Sequence, residues 1–303
     1  MFKIVRILTD SASGITKEQS KNLDIDVVSL SVHHDGVSEV ESEMDLDAFN
    51  SKLGTYTDVL PTSSQPEVGS FLQYFEKCAE AGDSVVAVFI SQKLSGTLDT
   101  ALQSVEMVKK KFADFRCTII DSFAACGPEI YPALKAAEAR DSGASHDIIA
   151  LQTSQVVQRS RIMFIPDDLR FLVLGGRLAQ PAAFVASKLK IFPIISTVDG
   201  HAVSIHKVRT ASKSIDKMLS IFEDDALKHG LKNVIVQYAG EKTEHLYDIK
   251  RRVEAFVKRS VDMVSVSPVV SVHVGPSIGV AYECCEEIAG KFTDKATPIA
   301  YNF

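Results

Sequence analysis

Apolar positions recur at two different spacings in the first half of the chain. Four short apolar segments have the length of β-strands: residues 3–9, 26–32, 84–91 and 116–120. The longer segments between them, 66–81 and 97–112, carry apolar residues three and four positions apart, which is typical of helices. Because residues 84–91 are almost wholly apolar, both faces of their sheet must be covered. Alternating strands and helices of this kind predict crossover units on a parallel sheet.

The pattern changes near residue 160. A predicted helix over residues 146–159 is followed by the apolar segment IMFIP and then by a pair of glycines. Two strand-length segments, 192–198 and 202–208, flank an Asp-Gly pair, which is a strong signal for a tight β-hairpin. The second half of the chain therefore predicts a sheet that is at least partly antiparallel.

These patterns predict an α/β protein with two domains. Domain 1–160 contains a parallel sheet between helices, and domain 161–303 contains a mixed sheet with its own helices. Two further helices are predicted for the second domain, over residues 212–229 and 243–258, with a strand over 233–238 between them. Three short strands, which end at Tyr282, complete it.

Composition excludes several classes of protein. The 303 residues are 46% hydrophobic and 24% charged, as in ordinary globular proteins, so the chain is not disordered as a whole. Its net charge of −6 has the wrong sign for a broad phosphate-backbone surface, so nucleic acid is not expected as the main partner. The acidic segment 39–47 is expected to be a solvated edge or loop.

The five cysteines are odd in number and show no C-x-x-C spacing, which indicates a reducing, cytoplasmic compartment. The first residues turn polar after about eight positions, so they predict a buried first strand and not a secretion signal. No segment approaches the roughly 18 apolar residues that a membrane span requires. We expect a soluble protein without stable membrane insertion.

Signatures of nucleotide-binding enzymes are absent from the sequence: it contains neither G-x-G-x-x-G after a strand nor a G-x-x-x-x-G-K-[ST] loop. One hydrolase pattern, G-x-S-x-G, occurs around Ser277. That elbow requires a following helix, whereas the next residues, IGVAY, predict a strand. We therefore interpret residues 275–279 as a hairpin loop.

Two hydroxyl-rich segments stand immediately before predicted helices. Lys93-Leu94-Ser95-Gly96-Thr97 follows a buried strand, and the T-S-S-Q-P segment at 62–66 precedes another helix. Free N–H groups at a helix start bind anions, and Ser95 can add a hydroxyl; alternatively, Ser95 only caps its helix. Because strand ends and helix starts meet at one edge of a parallel sheet, the two segments together favour an anion site.

Other polar residues allow more than one interpretation. His273 is expected at the end of a strand, either buried as a structural residue or acting as a donor to an anion or as an acid or base. Arg177 and Arg209 are either solvated charges or partners of a phosphate or carboxylate. His33 and His34 point to opposite faces of a strand and do not form a metal site, so no metal is expected.

The ordered set of motifs resembles the DegV family of bacterial lipid-binding proteins, which includes the fatty-acid-binding subunits of fatty acid kinase. The matching segments span nearly the whole chain: T-D-S at 9–11, T-S-S-Q-P at 62–66, K-L-S-G-T at 93–97, G-G-R-L at 175–178, V-R-T at 208–210 and H-V-G-P at 273–276. The resemblance implies two α/β domains with one long-chain fatty acid between them and no other cofactor.

The resemblance also implies roles for individual residues. The fatty-acid carboxylate would be held by Ser63, Ser95 and Gly96, with His273 close to it, and Arg209 would serve the acyl-phosphate form or docking of the kinase. Where the family usually has threonine, this chain has Ser63, and the loop after His273 is shorter than usual. The apolar segment 182–189, which contains Phe184, Val185 and Leu189, either packs in the core or lines a slot for the acyl tail, and its periodicity fits both.

Three functional hypotheses follow. The first is a non-catalytic, cytoplasmic carrier that presents a bound fatty acid to a separate kinase and passes acyl-phosphate toward phospholipid synthesis. The second is a serine and histidine hydrolase or transferase that uses Ser95 or Ser277 with His273 on a lipid-like substrate. The third is a carrier of another amphiphile.

Overall fold

The computed structural model describes residues 4–179, 181, 191–293 and 300–303. The first half of the chain is built around a five-stranded sheet. Its spatial order is β14-β7-β6-β1-β2, and all neighbours are parallel except the pair β14–β7. The strands are β1 (Val5–Asp10), β2 (Ile25–Val28), β6 (Ser84–Phe89), β7 (Cys117–Asp121) and β14 (Ala300–Asn302). The predicted parallel sheet is thus confirmed.

Helices cover both faces of this sheet, as the apolar sequence of β6 predicted. Val85, Ala87 and Phe89 pack against α3 and α4, whereas Val86 and Val88 pack against α5 and α6. The helices of this part are α1 (Lys17–Asn22), α3 (Val68–Ala81), α4 (Thr97–Lys111), α5 (Gly127–Asp141) and α6 (His146–Arg159).

A small three-stranded sheet lies beside the first one, in the order β4-β3-β5. All its strands are antiparallel, and one helix lies in the connection between β4 and β5. The elements are β3 (Ser31–His34), β4 (Val37–Val40), α2 (Leu46–Leu53) and β5 (Thr62–Ser64). The single strand predicted over 26–32 is therefore wrong. The chain changes sheets at Leu30, whose side chain is buried and whose N–H donates to Ser11 Oγ at 3.0 Å.

The second large sheet has six strands in the order β10-β9-β8-β13-β11-β12. Only β11 and β12 are parallel, so the predicted mixed sheet is confirmed. The strands are β8 (Ser160–Pro166), β9 (Phe192–Val198), β10 (His201–Val208), β11 (Leu231–Ala239), β12 (Met263–Ser265) and β13 (Ser277–Cys284). The hairpin β9–β10 turns at Asp199 and Gly200, both with positive φ, as its Asp-Gly pair predicted.

The outer face of the six-stranded sheet packs against two amphipathic helices, 211–229 and 244–257. Its inner face is turned toward α5 and toward two short helices, 169–174 and 268–274. These helices of the second half are α7 (Leu169–Leu174), α8 (Ala211–His229), α9 (Glu244–Val257) and α10 (Pro268–Val274). The division into domains 1–160 and 161–303 stays a prediction. Helix α6 ends and β8 begins at this boundary, but β14, assigned to the second domain by the sequence, pairs with β7 in the first sheet.

The segment that carries His273 differs from its prediction. Residues 268–274 form helix α10 and not a strand, because Ser267 and Pro268 occupy the N-cap and first helical positions. Consequently residues 275–276 connect a helix to β13 instead of forming a hairpin loop. His273 lies in the last turn of this helix, which contacts α7, α2 and β5.

Candidate functional site

Four residues predicted to bind an acid group lie around one cavity. We call it the polar cavity; its lining includes Ser63, Ser64, Gln65, Ser95, Gly96, Arg177 and His273, together with the apolar residues Leu30, Ile90, Leu94 and Val269. Ser63 comes from β5 of the small sheet, Ser95 and Gly96 from the loop before α4, and His273 from α10. Three separate parts of the chain thus meet at one edge of the parallel sheet.

Ser63 and His273 are in direct contact. Ser63 Oγ lies 2.7 Å from His273 Nε2, whereas His273 Nδ1 is buried and has no hydrogen-bond partner within the described part of the chain. Burial, and after it the positive charge of Arg177, lowers the pKa of His273 from 6.5 to about 4. The imidazole is therefore neutral at physiological pH and can act as a donor through only one nitrogen at a time.

Ser95 and Gly96 form the start of helix α4. Ser95 Oγ lies 2.9 Å from Thr97 Oγ1 and accepts a hydrogen bond from the Thr97 N–H at 3.3 Å, while Ser95 also lines the polar cavity. The N-cap position itself is Gly96, with Ser95 one residue before it, and the binding of an anion by Ser95 stays a prediction. A side chain at Gly96 would overlap the terminal amide of Gln65, so that flexible side chain would have to move.

A second cavity, which we call the apolar cavity, adjoins the first. Ile90, Leu94, Val269, Arg177 and His273 line both. It lies between the inner face of the six-stranded sheet and the first part of the chain, and its volume is about 80 Å³. Other lining residues include Ala125, Cys126, Ile162, Phe164, Leu172, Val266, Val270 and Ile278. The molecule therefore offers a polar end joined to an apolar end, which suits an amphiphile.

Arg177 stands between the two cavities, a position that sequence reasoning did not assign to it. Its guanidinium donates to the carbonyl oxygens of Leu94, at 3.3 Å, and of Gly175. Burial lowers the pKa of its guanidinium. The sequence contained one signal for this placement: two glycines directly precede Arg177, and a side chain at Gly175 would lie 2.9 Å from His273 Nδ1.

Some predicted site residues are not part of this assembly. Arg209 is exposed, follows β10 and lines neither cavity. Phe184, Val185 and Leu189 lie outside the described residues, so their contact with an acyl tail stays a prediction. The structure pairs His273 with Ser63 and with neither serine of the hydrolase hypothesis; Ser277 begins β13 and lines the apolar cavity.

Glu41 corrects the prediction of a solvated acidic segment. Only 7% of this residue is exposed, and its carboxyl group accepts a hydrogen bond from Ser267 Oγ at the start of α10. Burial raises the pKa of Glu41 to about 7. Glu41 thereby joins the segment before α2 to the helix that carries His273. Nothing in the local sequence distinguished it from its exposed acidic neighbours.

Two classes of site find no support within the described residues. Their His, Cys, Asp and Glu side chains form no group of three or more that could hold a metal ion. In the same part of the chain, none of the helices is long and apolar enough to cross a membrane.

Comparison with known proteins places this architecture among relatives. The model of a family described as "Uncharacterised protein, DegV family" matches residues 4–284. A DegV domain-containing protein from Clostridium perfringens is 34% identical over 279 residues, which cover 92% of this chain and 98% of that protein.

Solved structures show the same fold. The crystal structure of DegV from Bacillus subtilis, described as a fatty acid binding protein, is 26% identical, with a TM-score of 0.81 over 93% of this chain and all of that one. A Thermotoga maritima protein whose structure "reveals fatty acid binding function" is 25% identical, with a TM-score of 0.76 over 93% and 100% of the two chains.

Proposed function

This chain belongs to the DegV family, and we propose that it binds one long-chain fatty acid, with the carboxylate in the polar cavity and the tail in the apolar cavity. The observation that carries the proposal is the junction of the two cavities along Ile90, Leu94, Val269, Arg177 and His273. The fatty acid binding described for the Bacillus subtilis and Thermotoga maritima proteins supports it.

The polar cavity has donors suited to a carboxylate. The hydroxyls of Ser63 and Ser95 and the N–H of Gly96 are neutral donors beside a helix start, where a negative charge is favoured. Because the ring of His273 is neutral and bonded to Ser63, this pair has one hydrogen left for the ligand: either the Ser63 O–H or the His273 Nδ1–H. These neutral donors hold the head group without the cost of burying another lysine or arginine charge. Arg177, which is already partly buried, is the one cation among the described residues that line the polar cavity.

The apolar cavity would contribute most of the affinity. At about 0.8 kcal/mol per buried methylene, a tail of roughly 14 such groups contributes on the order of 11 kcal/mol before the costs of association and ordering. After about 3 kcal/mol are lost, about 8 kcal/mol remains, which corresponds to micromolar binding, so tighter binding needs the hydrogen bonds to the carboxylate as well.

We further propose that the protein is a cytoplasmic, non-catalytic carrier that presents the carboxylate to a separate fatty acid kinase and delivers acyl-phosphate toward phospholipid synthesis. Arg209 is exposed and outside both cavities, as expected of a residue that meets a partner and not the acyl chain. The five cysteines are free thiols, in keeping with a reducing compartment.

The alternative function is a hydrolase. One contact favours it: Ser63 Oγ and His273 Nε2 are within hydrogen-bond distance. Two features argue against it. With a pKa of about 4, His273 is a weak base at neutral pH, and no carboxylate orients its Nδ1 within the described residues. A fluorophosphonate probe that labels the native protein but not Ser63→Ala would favour the hydrolase instead.

Lipid extraction of the purified protein, followed by mass spectrometry, tests the proposal directly. We expect a long-chain acid at about one per chain. Ser95→Ala should weaken binding of a fluorescent fatty acid by about 1 to 3 kcal/mol, because it removes a donor from a charged acceptor. Ser104→Ala is the matched control, since Ser104 lies on the same helix but bonds only to the Thr100 carbonyl oxygen. Empty protein that also fails to bind the probe would refute the proposal.

Arg209→Ala tests the step that involves the kinase. We expect fatty acid affinity within about twofold of the native protein, because Arg209 lines neither cavity, and at least tenfold slower transfer of phosphate from a kinase of this family's type. Arg116→Ala, at the opposite edge of the first sheet, is the control. Lost fatty acid binding with normal transfer would contradict the role of Arg209.

A further inference from the structure

Three neutral polar side chains lie inside the apolar cavity and outside the polar one. Thr197 of β9, Gln237 of β11 and Ser277 of β13 line its wall, with 6%, 4% and 4% of each residue exposed. Apart from these and the two residues at its polar end, the lining is made of aliphatic and aromatic side chains, a cysteine and a glycine. An unsubstituted acyl chain has nothing to offer these three groups.

Their hydrogen-bonding capacity is only partly used within the described chain. Thr197 Oγ1 is fully buried and has no partner there. Gln237 Oε1 accepts the N–H of Gly127 at 3.3 Å, which fixes the amide and leaves its Nε2 group without an acceptor among the described residues. Buried polar atoms are almost always satisfied by the protein, by water or by a ligand, so Thr197 Oγ1 indicates a polar group in the cavity.

The register of the sheet shows how the groups are arranged. Gln237 is opposite Gly279, Gly279 is opposite Phe164, and Phe164 is opposite Ile195. Opposite residues share a face of the sheet, as do residues two positions apart, so Thr197 and Ser277 are on the same face as Gln237. With strands about 4.8 Å apart, Thr197 and Gln237 are three strand spacings, or about 14 Å, apart across the sheet, and Thr197 lies two residues further along its strand. A chain lying across these strands meets them at different carbons.

We infer that this cavity is selective for a long-chain fatty acid that carries a hydroxyl group within the chain, and that this hydroxyl bonds to Thr197 Oγ1. This inference rests on the proposed function and narrows its substrate class. A chain hydroxyl both donates and accepts, as does Thr197, whereas a methylene at the same place leaves Oγ1 unpartnered. Sites built to bond a substrate hydroxyl discriminate against the analogue that lacks it.

The test compares palmitate with a positional series of mono-hydroxypalmitates by competition against a fluorescent fatty acid. At least one positional isomer is expected to bind about 5- to 10-fold more tightly than palmitate, the size of one added hydrogen bond. Thr197→Val has nearly the same shape and should reduce that ratio to one or below. Gln237→Met provides a second variant; because each result is a ratio of two affinities, a general loss of stability cancels.

Thr9→Val is the matched control. Thr9 Oγ1 is also buried without a partner in the described chain, yet Thr9 lines neither cavity, so this variant should keep the native ratio. If palmitate binds and no isomer binds better, or if Thr197→Val leaves the ratio unchanged, the inference is wrong while the proposed function stands; an ordered water then satisfies Thr197. If neither palmitate nor any isomer binds, the proposed function fails with it.

Discussion

Two serine–histidine pairs lie in the interior of this protein, and they differ at the second nitrogen of the ring. His146 is bonded at both nitrogens: Nδ1 is 3.0 Å from Ser84 Oγ and Nε2 is 2.9 Å from Thr118 Oγ1. His273 is bonded at Nε2 to Ser63, and its Nδ1 has no partner within the described chain. Burial is the main cause that lowers the pKa of each ring to about 4.

The surroundings explain the difference. The hydroxyl of Thr118 donates to Asn302 Oδ1, so it accepts from His146 Nε2–H, and Ser84 must donate to Nδ1. This network joins β6, β7 and β14 through α6, and both ring nitrogens of His146 are bonded within it. The His273 pair instead faces two cavities. A buried Ser–His contact therefore indicates a binding site only when part of its hydrogen-bonding capacity is left for something else.

The largest difference is expected when the imidazole ring of His146 or of His273 is removed, because the first is structural and the second belongs to the candidate site. His146→Ala removes a packed ring and leaves Ser84 and Thr118 without their partner, which should lower the free energy of unfolding by about 3 kcal/mol. His273→Ala loses one bond beside an existing cavity and should cost about 1 kcal/mol. Urea unfolding of ligand-free protein measures both. Equal losses would show that His273 is as structural as His146.

The pH dependence of binding should sharpen the comparison. A carboxylate that accepts from His273 raises the pKa of that ring above its ligand-free value of about 4. The complex then takes up a proton, so affinity should rise severalfold as pH falls from 7.5 to 5.5. His273→Gln should abolish the rise, and His146→Gln should keep it because no ligand meets that ring. Affinity that falls over this range in the native protein would contradict a carboxylate beside His273.

The sequence predicts those features of the fold and of the candidate site that depend on residues close together in the chain. The buried parallel strand β6 and the hairpin at Asp199 were predicted because apolar spacing and turn residues specify them directly. The meeting of the Ser63 and Ser95 loops followed from a general rule about sheet edges. Their role in binding an acid stays a prediction.

The failures have physical causes that differ. Residues 268–274 have the β-branched composition of a strand, but the Ser267–Pro268 start and the packing of α10 against α7 and β5 make them helical. Glu41 is buried, and the hydroxyl that donates to its carboxyl group belongs to Ser267, 226 positions away. The position of Arg177 depends on the carbonyl oxygen of Leu94, 83 positions away, as well as on that of nearby Gly175. Contacts of this kind have no signature in local periodicity.

The smallest effects should come from removing one hydroxyl from each pair. Ser84→Ala leaves His146 Nδ1 without its donor and should cost about 1 kcal/mol of stability, with fatty acid affinity unchanged. Ser63→Ala should do the reverse: stability stays within about 0.5 kcal/mol because the site adjoins a cavity, and affinity falls about 5- to 10-fold as the carboxylate loses a donor. Calorimetric titration and urea unfolding of the two variants, made side by side, distinguish the roles. If Ser84→Ala weakens binding as much as Ser63→Ala does, the two pairs belong to one coupled system.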